Sequence, residues 1–187
     1  GRLSVEAAGI DAVKLSWGAQ YYLNSGYQVY LDDELAGYSP ATYFYIDDLD
    51  PAKEYKADVV TVWKDGDASE RPDDQGIRFT VKSLLPDKYN LTEIEPNEGE
   101  PGYTWLAVMN GEQYLNGMGV FGNSTYTYQI EGLFDEFETI IGIDDNSRED
   151  NAVSGLVFII EGDGRELYRS RPMNRSQRPI RISVNIQ

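Results

Sequence analysis

Short runs in which apolar and polar side chains alternate with a period of two recur along the whole chain, and no stretch sustains the 3.6-residue period of a long amphipathic helix. Val13, Leu15 and Trp17 alternate with Lys14 and Ser16, and Tyr27, Val29 and Leu31 form the next set. Ile77, Phe79 and Val81 alternate with Arg78, Thr80 and Lys82; Tyr126, Tyr128 and Ile130 alternate with Thr127 and Gln129. Near the end, Ile180, Ile182, Val184 and Ile186 stand against Arg181, Ser183 and Asn185. A strand sends successive side chains to opposite faces, so one apolar face per run reads as a half-buried strand of an antiparallel sheet. Asp65-Gly66, Asn110-Gly111 and Gly162-Asp163-Gly164 lie between such runs and suit hairpin turns. The expected fold class is all-β.

The chain has 187 residues, enough for one large domain or two small ones that each bury a core. Strand-like runs stop around residues 83–102, where Glu95-Pro96-Asn97-Glu98-Gly99-Glu100-Pro101-Gly102 is rich in Pro, Gly and acid. The expected domains are therefore 1–83 and 84–187, with net charges of -7 and -9. Every base after Lys88 is arginine. With 0 His and 0 Cys, a Ser-His-Asp triad, a cysteine nucleophile and a Cys/His zinc site are excluded. A net charge of -16 repels phosphate backbones, so no nucleic-acid partner is expected. No apolar run approaches the roughly 18 residues of a membrane helix, so no membrane insertion is expected. The first residues lack a charged n-region followed by an apolar h-region, so no signal peptide is expected in them.

In residues 3–82, Trp17 ends the second strand in its inward phase, and Leu49-Asp50-Pro51-Ala52-Lys53-Glu54-Tyr55 sets a tyrosine at a strand start after a Pro-containing turn. A tyrosine there buries its ring and returns its hydroxyl to upstream backbone, the tyrosine-corner arrangement. On these residues the segment resembles a fibronectin type III domain. The resemblance implies a seven-strand sandwich, with Trp17 and Tyr55 in its core, acting as a spacer between functional modules. Tyr21, Tyr22, Tyr43 and Tyr45 are the aromatic residues there that exposure would turn into contacts.

The second half reads as strands at Tyr103–Asn110, Thr125–Ile130, Phe137–Ile143, Gly155–Glu161, Arg165–Ser170 and Pro179–Ile186. Leu156, Phe158 and Ile160 share one face, with Val157 and Ile159 on the other, as in a central strand covered on both sides of a two-sheet jelly roll. Three blocks then follow in order. They are Asn116-Gly117-Met118-Gly119-Val120-Phe121-Gly122-Asn123-Ser124, the strand from Phe137 to Gly142-Ile143-Asp144-Asp145, and Val157–Glu161 leading through Gly162-Asp163-Gly164 to Leu167-Tyr168-Arg169-Ser170. On these blocks the half resembles an NPCBM-type carbohydrate-binding module of the kind attached to glycoside hydrolases. Two departures stand out. Phe121 occupies the place of the family's usual histidine, and residues 84–105 replace a longer tryptophan-containing stretch of which Trp105 remains.

A pyranose offers apolar C–H faces and a ring of hydroxyls, so its site needs an aromatic platform and planar bidentate hydrogen-bonding groups. Tyr103, Trp105, Tyr114 and Phe121 are the candidate platforms. Asn123, Asp145, Asn146, Arg148, Glu149 and Arg171 are the candidate polar partners. Core packing competes for Trp105, and filling the space of the absent histidine is the favoured reading of Phe121. The oxygen-rich run from Asp144 to Asn151 makes Asp144, Asp145 and Asp150 candidate Ca²⁺ ligands. Its spacing is not that of an EF-hand, and Arg148 in its midst favours a solvated acidic loop. Asp144 also suits capping of local backbone N–H groups.

Glycosidases need two carboxylates about 5–10 Å apart across a cleft, and small sandwiches without inserted loops rarely enclose one, so no enzymatic activity is expected. The resemblance implies non-catalytic binding of galactoside-type glycans or polysaccharide, beside an upstream catalytic domain or on a bacterial surface. It also implies a secreted, periplasmic or cell-surface location. The alternative reading is a structural or protein-interaction scaffold whose sugar site is lost.

Overall fold

A computed structural model describes residues 2–20, 24–69, 76–147 and 155–187, with the side chains of residues 103–105 outside the description. The chain forms two compact units, Gly1–Tyr89 and Asn90–Gln187.

Unit 1 sets a three-stranded sheet against a four-stranded one. The first holds β1 (Ser4–Ala7), β2 (Val13–Ser16) and β5 (Tyr43–Ile46) in the order β1-β2-β5. The second holds β3 (Asn24–Leu31), β4 (Glu34–Ser39), β6 (Tyr55–Trp63) and β7 (Ile77–Phe79) in the order β4-β3-β6-β7. All ladders are antiparallel. Val13 and Leu15 of β2, Val29 of β3, Ala57 of β6 and Phe79 of β7 meet in one buried cluster, which Leu49, Tyr55 and Val81 complete. Val13, Leu15, Val29 and Phe79 are inward-phase residues of the alternating runs, so the period-two pattern has built a sandwich.

The expected corner is present. Tyr55 is buried, and its hydroxyl accepts a hydrogen bond from the Asp50 N–H at 2.9 Å. Its ring stacks on Phe79 at 5.9 Å between centroids. The polar end of the tyrosine thus fastens the Leu49–Asp50 turn while its ring fills the core. This is the fibronectin type III-like segment that the sequence announced. Trp17 lies just past the end of β2, packs on the core, and meets Tyr27 edge-on at 5.3 Å. Gly26 (φ +148) permits a close approach: a Cβ there would lie 2.1 Å from the Tyr38 hydroxyl. Tyr43 and Tyr45 are half-exposed on β5, edge to face at 5.9 Å, with Lys14 beside both rings; Tyr21 and Tyr22 lie outside the described residues.

Between the strands of the two units run a single helical turn, α1 (Val81–Leu84), and a 3-10 turn at Leu91–Glu93. Thr80 Oγ1 accepts from the Ser83 N–H and Asn90 Oδ1 from the Thr92 N–H, so short polar side chains cap both turns.

Unit 2 is also all-β. The hairpin β8 (Gly102–Met109) and β9 (Glu112–Gly119) closes through Asn110 (φ 51) and Gly111 (φ 77), the two left-handed residues of a tight hairpin turn. The hairpin β11 (Ile159–Gly162) and β12 (Arg165–Arg169) closes the same way through Asp163 (φ 48) and Gly164 (φ 74). Between them in sequence, β10 (Glu136–Ile141) pairs with the last strand, β13 (Ile180–Asn185). Ile141, Ile143, Met173 and Ile182 form the buried core, with Leu156, Phe158, Ile160, Tyr168 and Val184 packed on it.

Three expectations differ here. Strand β9 was not anticipated, because Asn116-Gly117-Met118-Gly119 carries no alternation; its register against β8, not its own side chains, holds it extended. The expected strand Thr125–Ile130 makes a single bridge, Thr127 to Glu98. Its partner there is the Pro/Gly-rich segment, and Asn97 Oδ1 accepts the Gln129 N–H in place of a ladder bond. The run from Gly155 to Glu161 is covered on one face only: Leu156, Phe158 and Ile160 enter the core, while Val157 and Ile159 remain 43% and 44% exposed.

Candidate functional site

The residues singled out in unit 2 fall in three places. The first is the turn of the β8–β9 hairpin, against which the loop after β10 is docked. Asp145 accepts the N–H groups of Asn110 (3.0 Å) and Gly111 (2.9 Å), one on each carboxylate oxygen. Its own N–H donates to Val108 O. Asp144 accepts from the Asn146 N–H at 2.7 Å and the Val108 N–H at 3.3 Å. Arg175 holds the far side by donating to Ser147 O. Asp145 satisfies the backbone donors that the left-handed turn leaves facing outward, and Asp144 those of Val108 and of its own loop. Among the described residues no group of three or more Asp or Glu side chains is arranged to hold a metal ion. Asp150, with Arg148 and Glu149, lies outside the described residues. Replacing Asp145 by alanine should lower stability by about 1–2 kcal/mol, since two charge-assisted hydrogen bonds are lost at a site that water reaches. Amide exchange at Asn110 and Gly111, measured beside a denaturation curve, should rise; unchanged exchange there would refute the capping role.

The second place is the face and outer end of the same hairpin. Tyr114 is half-buried on β9 and donates to Glu112 Oε2 at 2.8 Å, and that hydrogen bond pushes its phenol pKa up. Phe121 is 70% exposed, so the core-filling reading is overturned. It sits in a loop just beyond β9 where Asn123 (φ 59) reverses the chain, and its N–H donates to the Tyr126 hydroxyl at 3.4 Å. Asn123 and Asn146 are exposed. The side chains of Tyr103 and Trp105 on β8 lie outside the described residues.

The third place is a pocket of about 520 Å³ where the chain leaves β12 and returns into β13. Met173 and Ile180 give it apolar lining, Tyr168 an aromatic ring, and Arg171, Gln177 and Arg178 polar groups. Of these only Arg171 was picked out from sequence. Arg169 also lines it, but Glu166 grips its guanidinium through Nε (3.0 and 2.9 Å) and Nη2, which holds the Glu166 carboxyl below its usual range. The segment's path is well secured. The hydroxyl of buried Ser170 accepts from the Phe158 N–H at 2.9 Å, and Met173 exchanges two 2.8 Å backbone bonds with Leu156. Gln177 Oε1 accepts the Asn174 N–H at 2.7 Å, which leaves its NH₂ group as the free donor. The structure thus separates the candidates: Asp144, Asp145 and Asn146 at the inner turn, Tyr114, Phe121 and Asn123 along β9 and its outer loop, and Arg171 in the pocket. The signal that points to the pocket is compositional, an arginine-bearing, acid-free stretch from residue 167 to the end.

Residues 91–187, just over half of the chain, match the NPCBM/NEW2 domain. No curated protein matches. Among solved structures, the chain is similar to the Yersinia enterocolitica family 28 exopolygalacturonase at 18% identity, over 42% of this chain and 19% of that one, with a TM-score of 0.37. It is also similar to the catalytic domain with two CBM51 domains from Clostridium perfringens ZmpB, at 14% identity over 100% of this chain and 28% of that one (TM-score 0.45). A third similarity is to the central fibronectin-III array of RIM-binding protein, at 11% identity over 99% of this chain and 56% of that one (TM-score 0.36). The chain spans less than two thirds of each of these structures.

Proposed function

Because this chain belongs to the NPCBM/NEW2 domain family through residues 91–187, we infer that unit 2 is a non-catalytic carbohydrate-binding module and unit 1 a fibronectin-like spacer. The family match is the observation that carries this reading. The pocket beside Tyr168 supplies the chemistry it requires: a ring for the apolar face of a pyranose, and planar side chains for adjacent hydroxyls. Phe121, with Asn123, offers a second exposed aromatic-and-amide surface in the loop beyond β9.

The ligand class is galactoside-type glycan, most effectively a polysaccharide. The module acts outside the cytoplasm as an accessory to a glycoside hydrolase or a surface protein. Holding an attached catalytic domain near its polymer raises the local substrate concentration without new chemistry.

Calorimetric titration of the chain with galactose, lactose and a galactan tests this. Saturable binding in the millimolar range, about -4 kcal/mol, is expected for a shallow single-sugar site. EDTA should leave the isotherm unchanged, because the Asp144 and Asp145 carboxylates are engaged by backbone N–H groups. No heat with any glycan, neutral or anionic, would sink the reading in favour of an interaction scaffold.

A further inference from the structure

We propose that the pocket between β12 and β13 takes a sugar residue carrying an anionic group, a carboxylate or a sulfate ester, rather than a neutral sugar. The proposal deepens the carbohydrate-binding reading above and rests on it.

The donor inventory of the pocket is one-sided. Arg171 and Arg178 carry only N–H donors, and the Gln177 carbonyl oxygen already accepts from Asn174. Glu166, the carboxylate beside the pocket, is held by Arg169. A neutral pyranose brings hydroxyls that both donate and accept, and apart from the Tyr168 hydroxyl and the remaining lone pair of Gln177 Oε1 the free side chains here only donate. A carboxylate or sulfate only accepts, and its paired oxygens match the guanidinium fork.

The charge distribution points the same way. Residues 167–187 hold five arginines and no Asp or Glu, whereas the other 166 residues hold 11 basic side chains against 32 acidic. Neither Arg171 nor Arg178 has an ion pair or side-chain hydrogen bond among the described residues, although acid is abundant elsewhere. Two guanidinium groups that line one pocket without a carboxylate partner among the described residues suit an anion placed between them. The acid excess of the other 166 residues repels an anionic polymer, and the arginine-bearing segment attracts it. The volume of about 520 Å³ lies within the usual range for small-ligand sites. Tyr168, Met173 and Ile180 supply the apolar contact that a sugar ring needs and a free inorganic anion does not.

The experiment is a set of titrations of the whole chain, in EDTA and at low ionic strength. The probes are galacturonate oligomers, their methyl esters, a sulfated galactose oligomer, and the neutral galactose oligomer. At least one anionic probe should bind about tenfold more tightly than its neutral counterpart, with the advantage shrinking as salt is raised. Galacturonate against sulfated galactose identifies which anionic group the pocket prefers. The double variant Arg171→Gln, Arg178→Gln should abolish the preference while leaving circular dichroism unchanged, because both side chains are exposed. Equal binding of charged and neutral probes, or a preference that survives in the variant, would overturn the proposal. Binding of the neutral oligomer alone would overturn it and leave the carbohydrate-binding reading standing. No binding by any probe would overturn both.

Discussion

Leu15→Ala is expected to destabilise unit 1 by about 2–5 kcal/mol. Leu15 is 0% exposed and sits mid-strand in β2, paired with Val5 of β1 on one side and Phe44 of β5 on the other. Its side chain is the largest of the fully buried ones in the sandwich, and it packs in the cluster that ties the two sheets together. Removing three carbons there loses their transfer energy and leaves a cavity that neighbours on three strands cannot readily close. Two units need not unfold together, so a single melting midpoint is a poor readout. Hydrogen exchange of the β2 and β6 amides under native conditions reports the loss in unit 1 directly. A change below about 1 kcal/mol would contradict the central place given to Leu15.

Met173→Ala is expected to be of similar size, about 2–5 kcal/mol, and to act in unit 2. Met173 is 1% exposed and packs with Ile141, Ile143 and Ile182, the buried centre of the module. It also lines the pocket, so its loss reaches the site as well as the core. Gly155, with φ +74, packs on Pro172 beside it, and the Met173–Leu156 backbone pair keeps this segment in register. The variant should therefore weaken glycan binding at concentrations where the protein is still folded. Met173→Leu separates the effects: it keeps the volume, should cost less than about 1.5 kcal/mol, and should retain binding. If Met173→Ala binds glycan as tightly as the parent chain, the pocket floor is not part of the site.

Much of unit 1 was legible in order because its signals are local. Val13, Leu15 and Val29 fall in the inward phase of their runs, and Tyr55 follows the turn that its hydroxyl anchors. The β11–β12 hairpin was equally visible, and so was the turn after β8 though not the strand β9 that follows it, since Asp163-Gly164 and Asn110-Gly111 favour the left-handed conformations a tight turn requires. Asp144 was readable both as a capping residue and as a cation ligand, and its neighbour Asp145 only as a ligand group. The carboxylate looks the same in sequence whether a sugar hydroxyl, a cation or the N–H groups of Asn110 and Gly111 stand opposite it. Phe121 shows the same limit: an aromatic residue beside Val120 reads as core, and only the reversal at Asn123 leaves it 70% exposed.

The amino-acid sequence by itself determined the all-β class, the tyrosine corner, the principal hairpin turns and the family of the second unit. Each of these is encoded within a few residues, by the period-two pattern, turn conformations or a contiguous block. Only the tertiary structure decided that Asp145 serves a turn, that Val157 and Ile159 face outward, and that Arg171 shares a pocket with Tyr168, Gln177 and Arg178. The last follows from β13 pairing with β10, some forty residues earlier, while Met173 is drawn to Leu156. Those long-range pairings return the chain past the end of β12. Burial of Met173 and Ile182 in one core drives that return, and no local pattern records which charges it brings together.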